Sequence, residues 1–183
     1  VAGLSSAGLR PQVVHAANSA ATLRDPATHL DLVRVGIALY GLRASAYVEQ
    51  PAALRPALQW KTRVSMLKTV PPGTGISYNH RYTTGTHERI GTIPVGYGDG
   101  FRRTAGNQVL VRGVRVPVVG SVCMDQCMIQ VDGVPDARVG DEVVILGRQG
   151  EETMNAEEIA GRWGTINYEV VCGIGQRVPR LLV

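Results

Sequence analysis

The stretch QVLVRGVRVPVVGSVCMDQCMIQVDG, residues 108–133, decides the fold class of this chain. Two β-branched runs, VLV and VRVPVV, flank Arg112-Gly113, a pair suited to a hairpin turn, and CMIQVDG opens a third run after the CMDQ segment. On either side the pattern is the same. RIGTIPVGY (89–97) precedes it, EVVILG (142–147) continues it, and TINYEVVCGI (165–174) reads as the last strand; within it, the second run reads as a strand over RVPVVGSVCM (115–124). A long first strand, LQWKTRVSMLKTV (58–70), stops at the punctuation of Pro71, Pro72, Gly73 and Gly75. One helix interrupts the strands, where Asn155 can cap a segment that has Glu158 three residues on, ahead of Ile159, Ala160 and Trp163. From about Leu58 the chain is therefore a β-rich domain.

Upstream the character changes. RASAYVEQPAALRP (43–56) is rich in Pro and Ala without a clear period, which predicts a linker and a boundary near residues 44–56. Before it, the short apolar runs VVHA and LVRVGIALYG enclose NSAATLRD, which can open a helix behind Asn18 or Ser19 as cap. That is an α/β pattern. The expected division is residues 1–47 and residues 48–183.

The composition narrows the function classes. The 183 residues are 44% hydrophobic and 19% charged, which is globular rather than disordered. The net charge of +4 comes almost wholly from scattered arginines, the only lysines being Lys61 and Lys68, and no basic cluster interleaved with aromatics argues for nucleic acid. No apolar run approaches the ~20 residues needed to span a bilayer, and VAGLSSAGLR lacks a signal-peptide layout. Three cysteines, Cys123, Cys127 and Cys172, fit a reducing compartment, so the expected location is cytoplasmic. If CMDQC lies on a strand, Cys123 and Cys127 stand about 13 Å apart, beyond the reach of a disulfide at about 7 Å.

No GxSxG, GxxxxGK, HExxH or CxxC pattern is present, and His15, His29, His80 and His87 lack ligand spacing, so no metal site is expected. What stands out is Tyr and Arg within apolar or glycine-rich settings: Arg34, Tyr78, Tyr97 and Tyr168. An arginine in an apolar run needs a partner. Gly36 beside it lets a ligand approach the backbone, and a salt bridge to Asp31 is the structural alternative. Tyr168 also reads as a packed strand aromatic, Asp99 between glycines as a turn, and Met124-Asp125 as a core methionine beside a strand-end charge.

Taken in order, HAANSAATL, DLVRVGIALYG, GISYNHRYTT, IGTIPVGYGDGF, VPVVGSVCMDQCMIQVD, GDEVVILGRQG, TINYEV and RVPR resemble the C-terminal half of the alanine racemase family, over residues 15–180. The resemblance implies an α/β plus all-β chain: the last strands of a (β/α)8 barrel that holds pyridoxal phosphate, followed by a C-terminal β-barrel-like domain. It also implies interconversion of L- and D-alanine for peptidoglycan, in a homodimer whose active sites are shared between protomers. On the family's pattern, Ser19, the backbone of Gly36 and Ile37, and the hydroxyl of Tyr168 would hold the cofactor phosphate. Arg34 would face the pyridine nitrogen. Because a guanidinium does not give up its proton, the ring would remain a weaker electron sink, which suits racemisation.

Tyr78 resembles the family's base for one face of the substrate, contributed to the partner's cofactor. A phenol with a reference pKa of about 10 needs cations nearby for that role. The Met124 N–H would contact the substrate carboxylate, while Tyr97 and Asp125 resemble residues lining a narrow mouth, with Arg103 further out. The second base in the family is the lysine that carries the cofactor, and it belongs to an N-terminal motif that Lys61 and Lys68 do not match. The chain alone is therefore expected to be inactive without the N-terminal half. Two departures stand out: Ser121 where members commonly carry Arg, and Asn79-His80 after Ser-Tyr where many have Gly. A serine-preferring or broad-specificity racemase, a decarboxylase of the same fold type, and an inactive β-barrel dimerisation module are the alternatives. Decarboxylases of this type use a cysteine-containing site and a glutamate at the ring nitrogen, whereas this chain has Arg34.

Overall fold

A computed structural model describes residues 1–49 and 54–182. The chain divides into two compact units, Val1–Ala57 and Leu58–Val183. Residues 50–53, inside the expected linker, lie outside the described residues.

The first unit holds α1 (Ala2–Ser6), β1 (His15–Asn18), α2 (Ser19–Arg24) and β2 (Leu32–Arg34). β1 and β2 pair in parallel, with His15 opposite Leu32 and Asn18 opposite Arg34. Parallel neighbours need a crossover, and α2 supplies it. Asn18 is its cap: the side chain accepts from the Ala21 N–H at 3.0 Å. A 3-10 turn, Ile37–Tyr40, follows β2 and ends on Gly41.

The second unit begins with β3 (Trp60–Arg63), β4 (Met66–Val70), β5 (Gly75–Ile76), β6 (Tyr82–Thr83) and β7 (Glu88–Ile93). It continues with β8 (Gln108–Val111), β9 (Val114–Val119), β10 (Cys127–Gln130), β11 (Glu142–Gln149), β12 (Glu152–Met154), α3 (Ala156–Trp163) and α4 (Asn167–Cys172). The expected hairpin is there. Val111 faces Val114, and both turn residues have positive φ, Arg112 at 51° and Gly113 at 78°, the geometry whose twist matches the flanking strands.

The long first strand is split in two, and the split closes the fold. β3 pairs with β11 and β4 pairs with β7, while β11-β8-β9-β10-β7 are neighbours in that order, every pair antiparallel. At the changeover the Val64 N–H donates to Asp141 O and the Ser65 N–H to Thr92 O, each at 2.9 Å. One stretch of chain thus bridges the two ends of the ladder, making a barrel with few open edges. Its interior holds Val64, Ile93, Val109, Val111, Ile129, Val143 and Ile145, all buried. Asn155 accepts from the Glu158 N–H at 2.7 Å and starts α3 as expected. Trp163 on that helix meets Phe101, which meets Trp60, both edge-on with centroids 6.1 Å apart.

Three expected strands differ. The run 89–97 leaves the ladder after Ile93, because Pro94 has no N–H to give, and a 3-10 turn forms at Tyr97–Asp99. The run 115–124 stops at Val119, and 123–126 is a turn closed by the Cys123 N–H on Gln126 O at 2.9 Å. CMDQC is therefore not extended and the 13 Å spacing does not apply; Cys123 and Cys127 are buried free thiols. The segment 165–174 is helical from Asn167 to Cys172. Its buried residues Asn167, Val170 and Ile174 recur at helical spacing, which outweighs its β-branched composition. Among the described residues no helix is long and apolar enough to cross a membrane, and no group of His, Cys, Asp and Glu could hold a metal ion.

Candidate active site

The first unit gathers Ser19, Arg34, Gly36 and Ile37 where β2 runs out beside the start of α2. Ser19 is buried, and its Oγ accepts from the Gly36 N–H at 2.8 Å and lies 3.5 Å from the Ala38 nitrogen. A hydroxyl among the first N–H groups of a turn is a neutral cradle for anionic oxygens. Arg34 takes a different partner from the one its sequence neighbours suggest. Its guanidinium donates to His15 Nδ1 at 2.6 Å and to Ala16 O at 3.3 Å. Asp31 is instead engaged by Arg10 at 2.6 Å and by the Val14 N–H at 2.9 Å. The salt bridge to Arg34 is not formed.

The second unit brings Tyr78, Tyr97, Met124 and Asp125 around one short turn. Tyr78 lies on the loop joining β5 to β6. The loop is fastened to the turn by Ser77, whose Oγ donates to Ser121 O at 2.6 Å with Cys123 Sγ at 3.5 Å, and by the Ser121 hydroxyl, which donates to Tyr78 O at 3.3 Å. From the other side, the Tyr97 N–H donates to Cys123 O at 3.0 Å and the Gly98 N–H to Met124 O at 2.8 Å. Tyr78, Tyr97 and Met124 remain 68%, 48% and 56% exposed, although aromatics and methionine usually seek cover. No acceptor for the Met124 N–H is found among the described residues. These bonds bring the segments that carry two exposed tyrosines and the Met124 N–H together around one turn.

Asp99 and Arg177 hold this turn together. Asp99 accepts from the Gly96 N–H at 2.8 Å and from Arg177 Nε at 2.6 Å, and Arg177 also donates to Met124 O at 3.1 Å. Asp99 is thus a turn residue, as expected, and a clamp besides. Arg177 belongs to the RVPR segment, and only its recurrence with the other segments marks it. Met124 is not a core residue, because the turn lifts it out of the ladder.

Tyr168 sits half-buried on α4, and the end of that helix is tied to the Tyr97 turn by the Gly175 N–H on Asp99 O at 2.7 Å. The neighbouring Glu169 carboxylate is held below its ordinary range by the Thr165 hydroxyl and by Arg102, whose guanidinium lies 2.6 Å away. Arg103 is exposed and lines a cavity of about 510 Å³ with Arg81, Gln130 and Ser121. Lys61 pairs with Glu142 at 3.2 Å on the barrel wall. Lys68 lies on β4.

Comparison with known proteins matches residues 57–182 to the family described as alanine racemase, C-terminal domain, and residues 1–44 to alanine racemase, N-terminal domain. The alanine racemase of Symbiobacterium thermophilum is 53% identical over 182 residues, covering 98% of this chain and 48% of the relative. That of Desulfovibrio desulfuricans is 51% identical over 185 residues, covering 100% of this chain and 49% of the relative. The chain spans about half the length of the curated relatives it matches. Among solved structures, alanine racemase from Bacillus anthracis with bound L-Ala-P superposes with a TM-score of 0.93 at 46% identity, over 100% of this chain and 47% of that one.

Proposed function

This chain belongs to the alanine racemase family, and we propose that it is the C-terminal portion of a pyridoxal-phosphate-dependent enzyme that interconverts L- and D-alanine for peptidoglycan precursors. In this reading residues 1–47 are the end of the cofactor-binding barrel and residues 48–183 the C-terminal β domain. The working enzyme is a cytoplasmic homodimer with shared sites. The observation that carries the reading is Tyr78, an exposed phenol on a loop fastened to the turn that also holds Tyr97 and the Met124 N–H, for which no acceptor is found among the described residues.

The residues present suit the cofactor's chemistry. Ser19 Oγ with the Gly36 and Ile37 N–H groups would hold the phosphate, joined by the Tyr168 hydroxyl, and Arg34 would donate to the ring nitrogen. When bound, the cofactor supplies an electron sink that acidifies the substrate's α-hydrogen. Arg34 does not give up its proton, so it would keep that sink modest and favour return of the α-proton over side reactions. The Tyr78 oxygen would take or return the α-proton on one face, the Met124 N–H would orient the carboxylate, and Tyr97 and Asp125 would restrict the mouth to small side chains. The base for the other face is a lysine outside this chain. For this reason the 183 residues alone should not racemise alanine.

The test is to mix the chain with the N-terminal half of the Symbiobacterium thermophilum relative and add pyridoxal phosphate. A new protein-bound absorbance band and alanine racemisation are expected, with activity falling by about 10²–10⁴-fold in Tyr78→Phe. An associated mixture with neither band nor activity would overturn the reading in favour of a dimerisation module.

A further inference from the structure

The backbone on which Tyr78 stands is strained. Ser77 has φ 63° and ψ −172°, a combination that is essentially reserved for glycine. Asn79 follows at φ 61° and His80 at φ 45°, so non-glycine residues with positive φ lie on both sides of Tyr78. A loop left to itself would relax out of this conformation, since Ser at such angles places its Cβ against the backbone.

What holds it is a pair of serines. Ser77 donates through Oγ to Ser121 O at 2.6 Å, and Ser121 donates through Oγ to Tyr78 O at 3.3 Å. Ser121 is only 5% exposed, and both bonds are partly buried. The approach is tight: a Cβ on Gly120 would lie 2.7 Å from Ile76 O and 2.9 Å from Ser77 Cβ, so the two segments touch backbone to backbone. Behind the loop, Tyr82 is anchored in turn, its hydroxyl donating to buried Glu88 at 2.6 Å. The strain is therefore imposed by the barrel and passed to the residue that carries the phenol.

We propose that Ser77 and Ser121 are positioning residues for Tyr78, the bond from Ser77 to the Ser121 carbonyl and the bond from Ser121 to the Tyr78 carbonyl holding the strained backbone at Ser77 so that the Tyr78 phenol is presented in one direction. This rests on the reading of Tyr78 as a base. It also gives Ser121 a task at this position that an arginine, the residue common there in the family, would have to meet by other means. A serine at 77 is kept in a glycine's conformation because its side chain makes the latch.

This distinguishes positioning from stability. Ser77→Gly removes the strain together with the latch, so the variant should be as stable to urea as the parent, or more so, and yet impaired. In the enzyme reconstituted with the N-terminal half, Ser77→Gly and Ser121→Ala should each lower kcat about fivefold to tenfold, and the pair together towards a hundredfold. The α-deuterium isotope effect should rise for the enantiomer whose proton Tyr78 takes, and stay unchanged for the other. Amide exchange of residues 76–81 in the chain itself should quicken in both variants. Ser121→Thr, which keeps the hydroxyl, should recover most of the activity. Lowered kcat with isotope effects unaltered for both enantiomers, or full activity in Ser77→Gly, would overturn the proposal. A parent enzyme whose Tyr78→Phe variant is fully active would instead overturn the reading of Tyr78 beneath it.

Discussion

Both units of this molecule draw on the same apolar residue types, yet they use them differently. In Leu58–Val183 the runs VLV of β8 and VVIL of β11 are buried along their whole length, inside a ladder that returns to its own starting strand. In Val1–Ala57, β1 buries only Ala17, α2 buries only Ser19, and Leu30, Leu32, Leu39 and Tyr40 are exposed. Two parallel strands leave backbone edges unpaired and one sheet face uncovered, a condition that parallel sheets normally meet with further strands and helices. An antiparallel ring satisfies its own edges. Apolar content sets how much surface a segment could bury, whereas strand connectivity sets how much it does bury.

The sharpest way to break this contrast is amide hydrogen exchange. Protection in β7, β8, β10 and β11 should exceed that in β1 and β2 by about a thousandfold or more, and equal protection would show that the first unit folds as firmly as the second. Next comes core truncation. Leu110→Ala should cost about 3 kcal/mol by urea unfolding, while Leu32→Ala should stay within about 0.5 kcal/mol. A similar loss from both would mean that Leu32 is packed as closely as Leu110.

A smaller effect concerns pH. Burial and the bond to Glu88 push Tyr82 up to about 12, the bond being the larger cause, and the same bond with backbone donors lowers Glu88 below its ordinary 4.5. The phenol's contribution is therefore complete below about pH 10 and is lost as pH rises towards 12. The carboxylate's is complete above its ordinary range and is lost as pH falls below it. Tyr82→Phe should cost about 1 kcal/mol at neutral pH and flatten the alkaline limb of a stability profile of the second unit; an unchanged limb would refute the linkage. Least in magnitude is thiol labelling at pH 8. Cys172 is exposed, while burial chiefly raises Cys127 to about 12 and Cys123 is buried, so one thiol should react in the native chain and three after unfolding. Rapid labelling of Cys127 would mean that the barrel opens readily.

Much of this architecture is legible in the residues. Asn18 and Asn155 announce their helices, Arg112-Gly113 its hairpin, and the Pro/Ala stretch a change of unit. Ring closure is not, because alternation runs unbroken through Val64 and Ser65 while the hydrogen-bond partner changes beneath it. Nor is the helix at Asn167, where Tyr, Val and Val favour a strand locally and packing decides otherwise. In the site, motif order picks out Tyr78, Tyr97 and Met124, but their assembly depends on Ser77, Ser121, Asp99 and Arg177. Small hydroxyls and surface charges of that kind have no period or spacing to betray them. Arg34 illustrates the converse, since proximity in sequence points to Asp31 and the parallel register delivers His15.

The changeover at Val64 and Ser65 also dictates an order of events during synthesis. Lys61 on β3 meets Glu142, 81 residues further along the chain. At about 5–20 residues per second the first strand therefore leaves the ribosome roughly 4–16 s before its second partner exists. Throughout that interval β4 can find β7 while β3 has nothing to pair with, so the ring's last seam is also its longest-range contact. Closure of the barrel therefore waits for one strand to arrive.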